Sequence, residues 1–437
     1  MQDLTVPGGV TKSRPDVRRL NWLDGVRALA ATFVVLHHVW LMSYGGYPGN
    51  NGPWWTDWLV YGHLAVSVFI VVSGYSLALA PADQGMRLRH GGLTFMRRRF
   101  WRIVPPYWAA LGFSALLIAT GLIASPSGSE VTVQDIAIHG LLIQDAISTT
   151  PPNGVFWSIA VEWHIYFLFP LLVFCLRRYR IMRVIPAILL LVLVQHIGGQ
   201  YFPFLAFFER FSTAYFALFA FGTAAVWLAS KAIGARMAVC VAVTMVVGFI
   251  VVAAVAGPAR IVATYFWVDL AVGGATAALL TALDQGKLRW LTSLLGTRFL
   301  VSLGRFAFSI YLIHAPVLEL LRIHVVARAG LTGAAAFLTL ALLGIPLAIG
   351  SAYLFFIACE RPFLTIRGFR QLLAKVFPKR AQMRPLEPPT PSLAKTNPSD
   401  RGPLHRSEPL PSQSSHFDSA IGPFQPKPKT AGPERPS

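Results

Sequence analysis

The residues of this chain that could do chemistry are ionisable groups set in apolar surroundings. Arg27 and His38 stand 11 positions apart in one apolar run, with Asp24 just before the arginine. On a helix that spacing is close to three turns, so both side chains lie near one face, about 16 Å apart along the axis. Imidazole titrates near neutral pH and is the commonest general base. A second run carries Glu162 roughly two turns from its start. Placed beside His38, that carboxylate would fix the ring's tautomer and raise its basicity. A third run holds Arg305 and His314, followed by Pro316, which should kink the helix. Arg97, Arg98, Arg99 and Arg102 form a basic cluster, and guanidinium forks match phosphate oxygens well. These residue types support proton transfer by a positioned imidazole next to an anion site.

Each feature also has a plainer reading. Asp24 and Arg27 suit an i,i+3 pair at a helix start, with His37 and His38 at an interface. Glu162 suits a structural ion pair, and a mid-span His314 suits an interhelical hydrogen bond. Much of the arginine run serves topology and lipid headgroup contact. Ser73-Gly74 suits close helix packing.

The elements that must position these groups are set by composition. Of 437 residues, 54% are hydrophobic and 13% charged, and mean hydropathy is +0.55. Soluble domains carry about a quarter charged residues, so an ordinary soluble enzyme is excluded. The expected fold is an all-α polytopic transmembrane helical bundle of about ten spans. Apolar runs fall near 23–42, 61–80, 101–123, 155–176, 181–199, 209–230, 235–256, 260–283, 299–326 and 332–358, and a crossing helix needs about 20 residues. The chain has 38 Lys and Arg against 19 Asp and Glu. With both termini cytoplasmic, the outer connections hold only Arg210, Arg260 and Arg328, while the inner ones hold the basic clusters. That bias follows the positive-inside rule, which makes topology a better account of the charge than nucleic acid. Residues 1–22 read as a cytoplasmic segment, 23–363 as the membrane domain, and the Pro- and Ser-rich stretch 378–437 as a disordered tail. The connection 124–154 could dip back over the site. Cys175, Cys240 and Cys359 read as lone buried thiols, and no spacing suggests a metal site.

Six short motifs in order give the chain a family resemblance. Asp24, Gly25, Arg27 and His38 open the series, followed by Ile70 to Tyr75 with Ser73-Gly74. Next come Arg102, Pro105, Tyr107 and Trp108, then Trp157, Ser158 and Glu162. Ser309, Tyr311, Leu312, His314 and Pro316 follow, and Glu360-Arg361-Pro362 closes the series. In this order, from about Leu23 to Phe363, the chain resembles the acyltransferase 3 family of integral membrane acyltransferases. The resemblance implies an O-acyltransferase of the cell (inner or plasma) membrane that modifies surface or lipid-linked carbohydrate. Acyl-CoA, foremost acetyl-CoA, would be the co-substrate, with no bound cofactor. On that basis His38 is expected as general base and Glu162 as its orienting or polarising partner. Arg27, Arg97, Arg98, Arg99 and Arg102 are expected to hold the CoA phosphates. Asp24, Ser73, Trp157, Ser158, Arg305, Tyr311 and His314 are further candidates. The alternative is a transporter or flippase of a glycan or lipid intermediate, which intramembrane charges also fit. The absence of an internal repeat weighs against it.

Overall fold

A computed structural model describes residues 20–211, 213–231, 234–366 and 371. The expected tail at 378–437 and most of the segment 1–22 lie outside the described residues.

Among the described residues the chain is helical. Helix α1 (Asn21–Ser43) leads through a 3-10 segment (Trp54–His63) into α2 (Leu64–Ala82) and then α3 (Gly91–Ala119). The short α4 (Val133–Gly140) lies in the connection to α5 (Trp157–Arg178), followed by α6 (Ile181–Gly199). Then come α7 (Pro203–Glu209), α8 (Ala214–Ser230), α9 (Ala235–Ala263) and α10 (Tyr265–Asp284). The series ends with α11 (Arg289–Leu295), α12 (Arg298–Arg305), α13 (Ala307–Leu321), α14 (Gly333–Thr339) and α15 (Ile345–Phe355). Nine of these stretches are long and apolar enough to cross a membrane, and α7 with α8 makes a tenth if the bent pair is one span. This is an all-α, multi-pass membrane protein. Its third span begins at Gly91 rather than residue 101, so Arg97, Arg98 and Arg99 sit inside a helix rather than before one, and Arg102 lies inside it as well.

Hydrocarbon offers no partner to backbone polar groups, so helices satisfy them internally. Apolar side chains gain little from facing one another there rather than lipid, and close approach of small residues drives packing instead. Two crossings show it. A Cβ on Gly25 would stand 2.1 Å from the carbonyl oxygen of Leu295, and one on Gly304 would stand 1.9 Å from that of Asp24. These glycines therefore dock α1 onto α11 and α12. Gly74 and Gly222 do the same for α2 and α8, with would-be contacts of 2.1 Å to Phe219 O and 2.0 Å to Val71 O. Helix α1 is central, with Ala28, Val35, Val39 and Trp40 buried. Helix α9 is peripheral, and Val243, Val247, Ile250 and Val251 stay exposed as a lipid-facing surface. Cys240 is on this helix and exposed, contrary to the buried thiol expected, because the helix has few neighbours to cover it.

Candidate active site

Two cavities lie at opposite ends of α1. The one at its N-terminal end has a volume of about 210 Å³ and is lined by Arg27, Arg99, Arg102 and Arg305 against Glu162 and Glu360. Four guanidiniums face two carboxylates, and the carboxylates are held mainly by hydroxyls. Ser73 Oγ donates to Glu162 Oε1 at 2.8 Å, and the Tyr166 hydroxyl donates to the same oxygen. Ser309 Oγ donates to Glu360 Oε2 at 2.5 Å. Arg27 donates to Asp24 at 2.9 Å and to Ser76 Oγ at 2.5 Å. Arg99 lies over the Phe95 and Tyr166 rings, and its buried Nε has no partner. An orphaned buried donor in a native fold asks for a ligand or an ion. Spare guanidinium donors in a confined space make an anion site.

The other cavity, about 680 Å³, is lined by His38 together with Glu319 and Arg322. Its walls include loop residues Ser125 to Gly128 and Pro152 to Gly154. The 124–154 connection is folded against the bundle. The Asn153 amide donates to Leu312 O at 3.1 Å, which pins the loop beside the histidines. Thr132 caps α4 reciprocally with Asp135, and Thr149 and Thr150 add donors that hold the Asp135 carboxyl well below its ordinary range. Burial pushes the Asp145 carboxyl in the same connection up to about 7. Burial also lowers the His139 imidazole.

Between the cavities lies a histidine pair. His314 Nδ1 faces two carbonyls, Ile310 O at 3.0 Å and Tyr311 O at 2.9 Å, so it carries the proton and Nε2 is an acceptor. That Nε2 is 3.4 Å from His38 Nδ1, which is also 2.9 Å from Val34 O. His38 Nδ1 thus meets two acceptors and must carry the proton, which leaves the lone pair on Nε2. Tyr311 lines the first cavity and packs on His314 with ring centroids 5.9 Å apart. Its hydroxyl is 2.6 Å from Ser158 Oγ.

His37 is built differently. It is buried, its Nδ1 donates to Leu59 O at 2.6 Å, and a Cβ on Gly62 would come within 2.2 Å of it. It anchors α1 to the 3-10 segment.

The expected contact of Glu162 with His38 is not formed. Glu162 joins Ser73, Tyr166 and the arginine cavity, while Val34 and His314 orient His38. Phe156 and Ser158, which precede Glu162, are already buried. Helix α5 starts inside the protein at Trp157, and Glu162, about one and a half turns on, meets Ser73 rather than His38. Arg27, Ser73, Arg99, Arg102, Ser158, Arg305 and Tyr311 come together in the first cavity. Arg98 lines an adjoining groove with Arg87 and Arg89. Arg97 is exposed and lines neither. Asp24 acts through Arg27. Trp157 stacks on His63, 5.5 Å between centroids, in a separate network where His63, Ser67 and Tyr215 bond Asp269. Sequence reasoning missed Ser76 and Tyr166, although i,i+3 from Ser73 and i,i+4 from Glu162 were available signals. It also left Glu319 and Arg322 without a role.

Helices of this length and polarity, enclosing an anion cavity and a buried imidazole pair, define a multi-pass membrane enzyme site. The family described as "Acyltransferase domain" matches residues 20–357, and the chain belongs to this family. It is a membrane O-acyltransferase. Over 386 residues it is 26% identical to the acyltransferase MdmB of Streptomyces mycarofaciens, covering 82% of this chain and 95% of that protein. It is 28% identical over 172 residues to "Protein 2 in picA locus" of Rhizobium radiobacter, covering 36% of this chain and 80% of that protein. It is 26% identical over 200 residues to the O-acetyltransferase OatA of Staphylococcus aureus, 40% of this chain but 28% of that longer protein. No solved structure matches.

Proposed function

We propose that the protein moves an acyl group, foremost acetyl, from acyl-CoA to a hydroxyl of a cell-surface or lipid-linked carbohydrate. The termini and the arginine cavity would face the cytoplasm, where CoA is, in the cell membrane. The observation that carries this reading is the histidine pair in the wall between a basic cavity and a larger, mixed one. The donor's phosphates would lie among Arg27, Arg99 and Arg102, with Arg98 in the adjoining groove. The acceptor hydroxyl would enter beside His38. His38 Nε2 takes the hydroxyl proton as the oxygen attacks the thioester carbonyl. The C–O bond forms, the C–S bond breaks, and the proton passes to the leaving thiolate, giving an ester and CoA thiol. Such a positioned base contributes about 10²- to 10⁴-fold. His314 holds the His38 tautomer, and Glu162 shapes the donor cavity.

The test uses membranes carrying the chain and radiolabelled acetyl-CoA. Thiol release coupled to ester-linked label in the glycan or glycolipid fraction, lost in His38→Ala, is the expected result. No thiol release with any short acyl-CoA would overturn the donor. Substrate flux without thiol release would favour a transporter.

A further inference from the structure

Residues 315 to 322 present one helical stripe to the larger cavity. Ala315, Pro316, Glu319 and Arg322 all line it, at positions i, i+1, i+4 and i+7. The stripe runs about 10 Å along the helix, away from the level of His314. Glu319 and Arg322 bind each other in a fork, Nε to Oε2 at 2.7 Å and Nη2 to Oε1 at 2.6 Å. Their side chains remain 18% and 37% exposed, so the pair borders open space rather than core. These are the only Asp, Glu, Lys or Arg residues lining the cavity among the described residues.

The consequence is electrostatic. The fork cancels its own charge, so the cavity has no net pull on an anion or a cation. It keeps spare hydrogen-bond capacity, because Nη1 of Arg322 and further carboxylate lone pairs are not consumed by the fork. Donors and acceptors side by side with zero net charge suit vicinal hydroxyls, each of which both donates and accepts. The arginine cavity is the opposite case, with four guanidiniums against two carboxylates. A charged acceptor in the larger cavity would have to break the fork or leave its own charge unpaired in a partly desolvated site.

We infer that the larger cavity is the acceptor subsite, that the Glu319–Arg322 fork reads an uncharged hydroxyl-bearing ring, and that it selects against acidic and basic sugars. The inference rests on the acyl-transfer reading and adds the acceptor's charge class and the residues that set it.

The test compares three probes on one ring: methyl glucoside, methyl glucuronide and methyl glucosaminide. Each competes with endogenous acceptor for label from radiolabelled acetyl-CoA in membranes. In the wild type the neutral glycoside should compete at least about ten-fold better than either charged one. Arg322→Gln leaves a lone carboxylate and should shift the neutral-to-cationic ratio by about ten-fold toward the glucosaminide. Glu319→Gln leaves a lone guanidinium and should shift the neutral-to-anionic ratio toward the glucuronide by a similar factor. The swap of Glu319→Arg with Arg322→Glu restores a neutral fork and should return the wild-type ratios, which guards against misfolding of the single variants. Each ratio is taken within one variant, so a change in overall rate does not affect it. Ratios that stay the same in both single variants would overturn the inference. So would a charged probe that wins in the wild type, or competition by none of the three while thiol release persists. Absence of thiol release in the wild type would instead refute the acyl-transfer reading itself.

Discussion

Substituting Gly304 with alanine tests how the crossing of α1 and α12 holds the site. The new Cβ would stand 1.9 Å from Asp24 O and 2.5 Å from Asp24 C. Ordinary contact begins near 3.4 Å, so the helices must part by about 1.5 Å at this point. The obstructing atoms are backbone, so no side-chain rotation relieves them. Arg27 lies one turn from Asp24 and moves with it. Its 2.5 Å bond to Ser76 would open to about 4 Å, beyond hydrogen-bond range. Overpacking of this kind costs about 1–3 kcal/mol of stability. A misplacement near 1 Å in catalytic machinery costs about 10²-fold in rate. Gly304→Ala is therefore expected to cut thiol release from acetyl-CoA about 100-fold in proteoliposomes and to lower the melting temperature in detergent. Gly350→Ala is the control, since nothing lies within 4 Å of a Cβ there. Wild-type rate and melting temperature in Gly304→Ala would refute the tight crossing and the positioning assigned to it.

Other predictions separate the site residues. His38→Ala should lower kcat by about 10²- to 10⁴-fold while costing about 1 kcal/mol of stability. His37→Ala should do the reverse, since it leaves Leu59 O without its partner; kcat per folded molecule and thermal melts on both variants decide between them. Arg99→Gln should raise KM for acetyl-CoA about 10- to 100-fold, the effect of losing a charged hydrogen bond worth about 1.5–3 kcal/mol; an unchanged KM would remove Arg99 from the donor site. Glu162→Gln should reduce activity without moving the pH–rate profile, because Glu162 does not touch His38, and a shifted profile would place it beside the base. Asp145 titrates near 7 when folded and near 3.9 when unfolded. The folded state thus binds more protons between those values, and the stabilising contribution present below about 4 is lost as pH rises through 7. Melting temperature should fall from pH 5 to 8, and Asp145→Asn should flatten that slope.

Much of the architecture was legible because hydropathy acts over 20-residue stretches, and a run such as 61–80 has few other ways to be satisfied in a bilayer. The Arg27–His38 spacing likewise read correctly as one helix with two chemically distinct ends, since helical rise is nearly constant. The place of Glu162 was not legible. Its depth depends on where α5 begins relative to its neighbours, which buried Phe156 and the folded 124–154 connection decide. The choice between His37 and His38 also needed neighbours, because adjacent residues on a helix point about 100° apart and only Gly62 and His314 show which ring faces what.

The amino-acid sequence by itself determined that this is a bundle of membrane helices, with Arg27 toward one end of α1 and His37 and His38 toward the other. Tertiary structure alone decided which of those groups meet. Glu162 went to Ser73 and Tyr166 in the arginine cavity, His314 to His38, and Glu319 and Arg322 to a second cavity. The physical reason is that local periodicity specifies each helix and its faces, while depth and rotation come from backbone contacts at Gly25, Gly74, Gly222 and Gly304 between residues far apart in the chain.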